Sequence, residues 1–199
     1  MKKCVIFDFD GTLANSKAVA FQVINQLADI YGFPKFSPEK AMMMHGQEKS
    51  LLTQFPIIAN DFYKLYKESL QEIPLFGGIR EVLLQLKDLG VEIAVISSNE
   101  ESNIRQYFRS QGMDFITEVY TSSDLYGKDT MIDAFCDKHQ LSKDEVLYVG
   151  DEVRDIRAWH KSGISVVWVN WGYDTEAHAL PEKPTYTATE PAELLALVK

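Results

Sequence analysis

A short apolar run that ends in two aspartates constrains the fold of this chain more than any other feature. Residues 4–7, Cys-Val-Ile-Phe, have the continuous hydrophobicity of a strand that is buried on both faces. Side chains alternate along an extended chain, so Asp8 and Asp10 are expected on one side of it and Phe9 on the other. Two adjacent carboxylates repel each other unless a cation neutralises them. The run therefore predicts a divalent metal held by oxygen ligands, with Mg²⁺ as the first candidate.

A second acidic cluster follows another apolar run. Residues 145–149 have the pattern of a buried strand, and Gly150, Asp151 and Asp155 follow in the order Gly-Asp-x-x-x-Asp. In a parallel sheet, ligands bind beyond the carboxyl ends of the strands, so both acidic clusters are expected at one edge. Glu152 either assists a metal there or faces solvent at a helix N-terminus, and the helix dipole favours the second position.

Two polar features lie between the acidic clusters. Ser97, Ser98 and Asn99 follow the apolar run 91–96 and precede a helical pattern, where hydroxyl and backbone N–H groups can bind an anion or simply cap the helix. Lys128 opens a later helical pattern. A cation is unfavourable at the positive end of a helix, which suggests an anionic partner, although most surface lysines are only solvated.

Composition and charge restrict the class of function. The chain has 199 residues, of which 46% are hydrophobic and 25% charged, and its formal net charge is −9. This negative charge argues against nucleic acid and anionic membranes as partners. No apolar run approaches the ~20 residues that span a bilayer. Cys4 and Cys136 form neither a metal spacing nor a disulfide framework, so they are expected in the core of a cytoplasmic protein. The oligomeric state is left open.

The order of the apolar patterns predicts the fold class. Five strand-like runs alternate with helical patterns over residues 1–13 and 76–199, which predicts an α/β core domain with a doubly wound, Rossmann-like, parallel five-stranded sheet. Residues 14–75 carry several helical patterns and no strand, and they are expected to form an inserted, small helical cap domain. Pro56 should interrupt a helix in this insert, and Asp61 should begin the next one.

The stretch 8–13, Asp-Phe-Asp-Gly-Thr-Leu, resembles the first motif of the haloacid dehalogenase superfamily of phosphotransferases. Ser97, Lys128 and the stretch 150–155 fit the second, third and fourth motifs, so the resemblance covers nearly the whole chain. It is closest to the phosphoglycolate phosphatase-like branch, whose members carry a small helical cap. One departure is that Lys128 is followed by aspartate, where the family usually has proline. The family's strand order, 5-4-1-2-3, implies that the first and fourth strands are neighbours.

The resemblance implies three catalytic residues. Asp8 is the nucleophile, which forms an aspartyl-phosphate and also binds the metal. Asp10 is the general acid and base, and its backbone carbonyl contacts the same metal. Lys128 neutralises the nucleophile and the incoming phosphate.

The remaining motif residues are implied to bind metal and substrate. Asp151 is a direct Mg²⁺ ligand, and Asp155 is an accessory acid. Ser97 binds the phosphoryl group with Ser98 beside it, and Asn99 orients the substrate or a neighbouring backbone segment.

These implied roles describe a Mg²⁺-dependent phosphatase of a small phosphorylated metabolite. A phosphohexose mutase would use the same residues and stays open as an alternative, because the two differ in how well a closed cap excludes water. A phospho-accepting signalling domain is a remote alternative, since receiver-like domains lack a helical insert. Dehalogenation is disfavoured because a halide leaves without a proton, so an acid at Asp10 would not be needed. Within the cap, His45, Gln47 and Lys49 are candidates for substrate selection.

Overall fold

The computed structural model describes residues 1–37, 55–121 and 128–199, with the side chains of residues 128–131 outside the described part. The chain divides into two compact units. One unit consists of Met1–Asn15 and Leu75–Lys199, and the other of Ser16–Pro74. We call the first the α/β unit and the second the helical unit.

The α/β unit is built on a single parallel sheet. Its strands are, in chain order, β1 (Cys4–Phe7), β2 (Glu92–Ser97), β3 (Glu118–Thr121), β4 (Val146–Gly150), β5 (Ser165–Val169) and β6 (Tyr186–Ala188). Their order across the sheet is β3-β2-β1-β4-β5-β6, and every neighbouring pair is parallel. This confirms the predicted α/β class, and the first five strands have the order that the family resemblance implied.

The prediction of five strands was wrong, because a sixth strand lies at the edge of the sheet. β6 has three residues, and Tyr186 and Thr187 are exposed while Ala188 is buried. Its register places Tyr186 beside Val167 of β5. An edge strand has only one neighbour and little buried area, so it needs no apolar run that a sequence pattern could reveal.

Helices connect the strands along the chain. In chain order, the helices of both units are α1 (Lys17–Tyr31), α2 (Pro56–Ser69), α3 (Ile79–Asp88), α4 (Glu101–Ser110), α5 (Lys128–His139), α6 (Val153–Ser162) and α7 (Glu176–Ala179). Short 3₁₀ turns span Leu70–Glu72, Lys143–Glu145, Leu180–Glu182 and Pro191–Ala196.

Within the helical unit, α1 packs on α2 through apolar side chains at helical spacing. α1 buries Val23, Ile24 and Leu27 and ends at Gly32, which adopts φ +73° and donates its N–H to the carbonyl of Ala28. Such a left-handed residue at a helix end favours glycine.

The prediction that a helix begins at Asp61 was wrong. The predicted interruption of a longer helix at Pro56 stays a prediction, because residues 38–54 lie outside the described part of the structure. Pro56 is the first residue of α2, a position where the missing N–H has no helical partner to lose. α2 therefore continues through Asp61, which accepts a 2.7 Å hydrogen bond from the Tyr31 hydroxyl of α1.

The core of the α/β unit is centred on β1. All four of its residues are buried, with side chains that are at most 1% exposed. Cys4 and Ile6 belong to an apolar cluster that includes Cys136 of α5 and Trp159 of α6, so both cysteines are core residues as expected. Among the described residues, no helix combines the length and the apolar character needed to cross a membrane.

The chain leaves the α/β unit after β1 and returns beside the same place. Ala14 and Leu75 form an antiparallel bridge, and the backbone N–H of Phe76 donates to the carbonyl of Leu13 at 3.0 Å. The residues that flank the helical unit in sequence are thus neighbours in the α/β unit.

Phe9 anchors the segment that follows β1. Its ring is fully buried and meets Tyr107 and Phe108 of α4 edge to face, with centroid distances of 5.1 and 5.9 Å. We expect Phe9→Ala to lower the free energy of unfolding in urea by about 3–5 kcal/mol, the usual cost of removing a buried phenyl ring. The control is Leu84→Ala on α3, where the side chain is 42% exposed. A change of less than about 1 kcal/mol for Phe9→Ala would contradict its role as an anchor.

Candidate active site

Three buried carboxylates meet at the carboxyl ends of the two central strands. One oxygen from each of Asp8, Asp151 and Asp155 lies within 4.8 Å of the others. Their residues are 3%, 0% and 1% exposed, respectively. We call this group the acidic cluster. It joins the first and the fourth sequence motifs in one place.

The pairing of β1 with β4 creates the acidic cluster. Phe7 lies beside Val149, and the backbone N–H of Asp8 donates to the Val149 carbonyl at 2.9 Å. The sheet pairing therefore extends one residue past β1. This brings Asp8 level with the end of β4, where Asp151 follows directly and Asp155 lies in the first turn of α6.

Gly150 leaves room for this arrangement. A Cβ atom at Gly150 would lie 2.7 Å from Oδ2 of Asp155 and 2.7 Å from the ring of Tyr148. Atoms this close would overlap, so a larger residue would displace either α6 or the Tyr148 side chain. The glycine of the fourth motif is thus required by the close approach of α6 to β4.

Burial and mutual repulsion make the cluster favour a cation. Burial and the charge of Asp8 raise the pKa of Asp151 to about 7, although hydrogen bonds from Tyr173 and Thr12 oppose the shift. Ionised carboxylates in this setting are costly unless a positive charge neutralises them. Because the three donors are all carboxylate oxygens, the cluster fits a hard divalent cation such as Mg²⁺.

The side chain of Asp151 is held by donors on two other segments. The Thr12 hydroxyl donates to Oδ1 at 2.8 Å, and the Tyr173 backbone N–H donates to Oδ2 at 2.7 Å. The indole N–H of Trp168 donates to the Asp151 carbonyl at 2.8 Å. None of these three residues had a functional role predicted from the sequence. Thr12 lies within the quoted first motif, but no local pattern connects Trp168 or Tyr173 with residue 151.

Asp10 lies beside the cluster but its carboxylate is not part of it. Asp10 is half-buried, in a turn where Gly11 N–H donates to Ala14 O and Ala14 N–H donates to Phe9 O, both at 2.9 Å. β1 ends at Phe7 and the chain turns at Asp10, and the expectation that Asp8 and Asp10 lie on one side of the chain stays a prediction. Asp8 has acidic neighbours in the fourth motif.

The polar triplet after β2 lies at the same edge of the sheet. Ser97 is the last residue of β2 and is buried, Ser98 is half-buried, and Asn99 is buried. Ser97 Oγ accepts the Asn99 N–H at 3.1 Å, and Asn99 Oδ1 accepts the Glu100 N–H at 2.8 Å. Within the described ranges, the Asn99 amide nitrogen is buried without a hydrogen-bond acceptor. The Asn99 side-chain N–H is therefore available to bind an anion at the carboxyl end of β2, which lies next to β1.

The helix dipole had favoured a solvent-facing position for Glu152, but the residue is buried. The residue is 7% exposed, and its carboxylate pairs with the guanidinium of Arg154. Burial would lower the pKa of Arg154, but the charges of Asp155 and Asp8 outweigh it and raise the pKa. Arg154 thus supplies a positive charge near the cluster, and Glu152 balances that arginine.

Two groups of predicted residues have side chains outside the described part of the structure. Lys128 is the first residue of α5, in agreement with the expected helix start, but its side chain lies outside the described part of the structure. His45, Gln47 and Lys49, the candidates for substrate selection, lie wholly outside the described residues. Their roles stay predictions.

Comparisons with known proteins agree with this geometry. Residues 5–169 match the family model for haloacid dehalogenase-like hydrolases. A phosphoglycolate phosphatase of Synechococcus elongatus is 24% identical over 205 residues, which cover 98% of this chain and 97% of that protein. One from Haemophilus influenzae is 25% identical over 225 residues, which cover 98% of each protein.

Solved structures show the same fold. A haloacid dehalogenase-like hydrolase of Streptococcus pneumoniae superimposes with a TM-score of 0.85 at 20% identity, over 100% of this chain and 99% of that one. The match to the family model includes the acidic cluster and both strands that carry it. The chain therefore belongs to the haloacid dehalogenase-like hydrolase family, as its motifs had suggested, and is an enzyme of the phosphatase type.

Proposed function

We propose that this enzyme is a Mg²⁺-dependent phosphomonoesterase that acts on a small phosphorylated metabolite through an aspartyl-phosphate on Asp8. The observation that carries the proposal is the acidic cluster. Three buried carboxylates within 4.8 Å of one another need a cation, and one of them follows the central strand directly. The relatives named as phosphoglycolate phosphatases support a small, anionic substrate.

The metal would be held by Asp8 and Asp151, with the backbone carbonyl of Asp10 as a further ligand and Asp155 as an accessory acid. A bound Mg²⁺ would neutralise negative charge on the nucleophile and on the substrate phosphate, which otherwise repel each other. Oxygen ligands are those that Mg²⁺ prefers, and the cluster supplies them without histidine or cysteine.

Asp8 is the proposed nucleophile, and Asp10 is the proposed general acid and base. A carboxylate oxygen of Asp8 attacks phosphorus, the bond from phosphorus to the substrate oxygen breaks, and that oxygen leaves with its electron pair. Asp10 donates a proton to the leaving oxygen. Asp10 then takes a proton from water, which attacks phosphorus and releases phosphate from Asp8. The half-buried position of Asp10 suits a group that must exchange protons twice, whereas the nucleophile is buried.

The phosphate is proposed to bind where the triplet follows β2. Ser97 and Asn99 are buried there, and the amide nitrogen of Asn99 is a donor that has no acceptor among the residues that the structure describes. Ser98 adds a second hydroxyl, and Lys128 is proposed to neutralise the phosphate from the start of α5. Donors arranged in this way before the substrate arrives stabilise developing negative charge at little reorganisation cost.

The helical unit is proposed to be the cap that selects the substrate. It contains none of the four motifs, and helical lids commonly act by closing over a site and excluding water. We propose no nucleic acid or membrane partner, in keeping with a net charge of −9. The cytoplasm is the proposed location because Cys4 and Cys136 are free thiols buried in the core.

Removal of divalent metal tests the proposal directly. The enzyme should hydrolyse p-nitrophenyl phosphate and 2-phosphoglycolate with Mg²⁺, and excess EDTA should reduce both rates to the level without enzyme. Excess Mg²⁺ added back should restore them. Turnover that persists undiminished in EDTA would rule out a metal-assisted reaction.

Replacing Asp151 should separate stability from metal binding. In EDTA at pH 8, Asp151→Asn should unfold in urea with a free energy about 1–3 kcal/mol above wild type, because a buried like charge has been removed. The folded pKa of about 7 lies above the unfolded value of roughly 3.9. The advantage should therefore be full above pH 7, shrink as the pH falls from 7 to 4, and vanish below about pH 4, where wild-type Asp151 becomes protonated in both states.

Saturating Mg²⁺ should reverse this order of stability, since only the wild-type carboxylate gains from the ion. Asp114→Asn, at an exposed position, is the matched control and should change neither the free energy of unfolding in EDTA nor the stabilisation by Mg²⁺. A metal-free Asp151→Asn protein that is less stable than wild type at pH 8 would contradict the electrostatic account.

Replacing Asp10 should stall the second half of the reaction. Asp10→Asn should lower steady-state turnover of p-nitrophenyl phosphate by ~10²–10⁴-fold, the usual contribution of a general acid or base. Nitrophenolate is a good leaving group, so Asp8 should still be phosphorylated and the phosphoenzyme should accumulate. Rapid quench should show a burst of nitrophenolate, and mass spectrometry should find phosphate on the peptide that contains Asp8. Asp8→Asn is the control and should show neither. Wild-type turnover in Asp10→Asn would exclude Asp10 from the mechanism.

A further inference from the structure

The segment that joins β5 to α7 reaches the acidic cluster, although it belongs to none of the four motifs. We call residues 170–175 the β5–α7 loop. We propose that this loop, together with Trp168 of β5, is a brace that holds Asp151 and the start of α6 in the geometry that binds the divalent ion. In this brace Trp168 and Asp174 are positioning residues. The inference rests on the proposed function, because it concerns the same metal.

The brace holds Asp151 at both ends of the residue. The Tyr173 backbone N–H donates to Oδ2 of the side chain at 2.7 Å, and the Trp168 indole N–H donates to the backbone carbonyl at 2.8 Å. Asp151 is fully buried, and Trp168 is 2% exposed. Water therefore does not readily replace either bond. Fixing the carbonyl and the carboxylate together leaves the side chain little freedom to rotate away from the cluster.

The loop also caps the helix that carries Asp155. Glu152 is the N-cap residue of α6 but makes no side-chain capping hydrogen bond there, and its carboxylate pairs with Arg154. Asp174 caps the helix instead, because its Oδ2 accepts the backbone N–H of Val153 at 2.7 Å. A carboxylate at this position satisfies an N–H that the helix leaves open and interacts favourably with the helix dipole. The cap comes from 21 residues further along the chain.

Close approach leaves the loop no room to shift toward the cluster. A Cβ atom at Gly172 would overlap the side chain of Asp151. The neighbouring Trp171 donates its indole N–H to the carbonyl of Thr12 at 3.1 Å. The hydroxyl of Thr12 donates in turn to Oδ1 of Asp151. The loop thus contacts the metal ligand directly and also through the first motif.

Such contacts matter for metal affinity because a ligand that is already oriented loses less freedom when the ion binds. Partners that orient metal ligands through hydrogen bonds typically change affinity or activity by about 10- to 100-fold when they are removed. Trp168→Phe removes the indole donor and reduces the size of the ring at a buried position that stays aromatic, and Trp159→Phe makes the same reduction in size. Asp174→Ala removes the helix cap, whereas Asp174→Asn keeps an oxygen that can accept the same N–H.

Calorimetric titration of MgCl₂ into the metal-free enzyme tests the brace. Trp168→Phe and Asp174→Ala should each weaken Mg²⁺ binding roughly tenfold without changing the number of sites. Asp174→Asn should recover most of the affinity. Trp159→Phe is the matched control, because Trp159 is equally buried but its ring stacks on Tyr148 at 4.1 Å. It should bind Mg²⁺ like wild type. Saturating Mg²⁺ should restore the turnover of Trp168→Phe.

Unchanged Mg²⁺ affinity in both Trp168→Phe and Asp174→Ala would overturn the brace, and so would an equal loss in Trp159→Phe. If Trp168→Phe does not fold, the comparison of the two Asp174 variants decides, because Asp174 is half-buried and neither asparagine nor alanine is larger than aspartate. A wild-type enzyme that binds no Mg²⁺ would instead overturn the proposed function. The two failures are therefore distinguished by the wild-type titration.

Discussion

The repulsion among three buried carboxylates is the interaction on which the rest of the site depends. Asp8, Asp151 and Asp155 are all withdrawn from water, and burial and the charges of Asp8 and Asp155 make ionisation of Asp151 less favourable. The fold can keep them there because the parallel pairing of β1 with β4 is buried on both faces and leaves the two strand ends no alternative position. Packing of the apolar core thus holds together groups that would separate if they were free to move.

Hydrogen bonds and ion pairs moderate this repulsion without removing it. Thr12 and the Tyr173 N–H each donate to Asp151, and Arg154 adds a positive charge that Glu152 partly offsets. Burial and Asp8 nevertheless keep the pKa of Asp151 well above that of an ordinary aspartate. The cluster is therefore ordered in advance and still short of positive charge, which is the combination that a divalent ion requires.

Local patterns in the sequence predicted the parts of this structure that depend on local physics. The apolar runs that became β1, β2, β4 and β5 are buried in the sheet interior, where continuous hydrophobicity is needed, and the acids at their ends were found for the same reason. β6 was not predicted because an edge strand needs no such run. The helix start predicted at Asp61 was wrong because aspartate is common both at helix starts and on exposed helix faces, and the helix already begins at Pro56.

Long-range contacts could not be predicted in this way. Trp168 and Asp174 are recognisable only when β5 lies beside β4 and its following loop returns to α6. The burial of Glu152 depends on Arg154, which a rule based on the helix dipole ignores. The proposed roles of Lys128 and of the cap residues rest on the sequence and the family resemblance, because their side chains lie outside the described part of the structure.

The bridge between Ala14 and Leu75 has a consequence for how such enzymes diversify. The ends of the inserted helical unit are tied together inside the α/β unit, so the insert closes a loop whose anchor points are fixed by the sheet and not by its own length. Closing a longer loop costs only slightly more entropy. Inserts of very different size and sequence could therefore occupy this position while the strand order and the acidic cluster stay the same. In this architecture, substrate range and chemistry can evolve as separate traits of one gene.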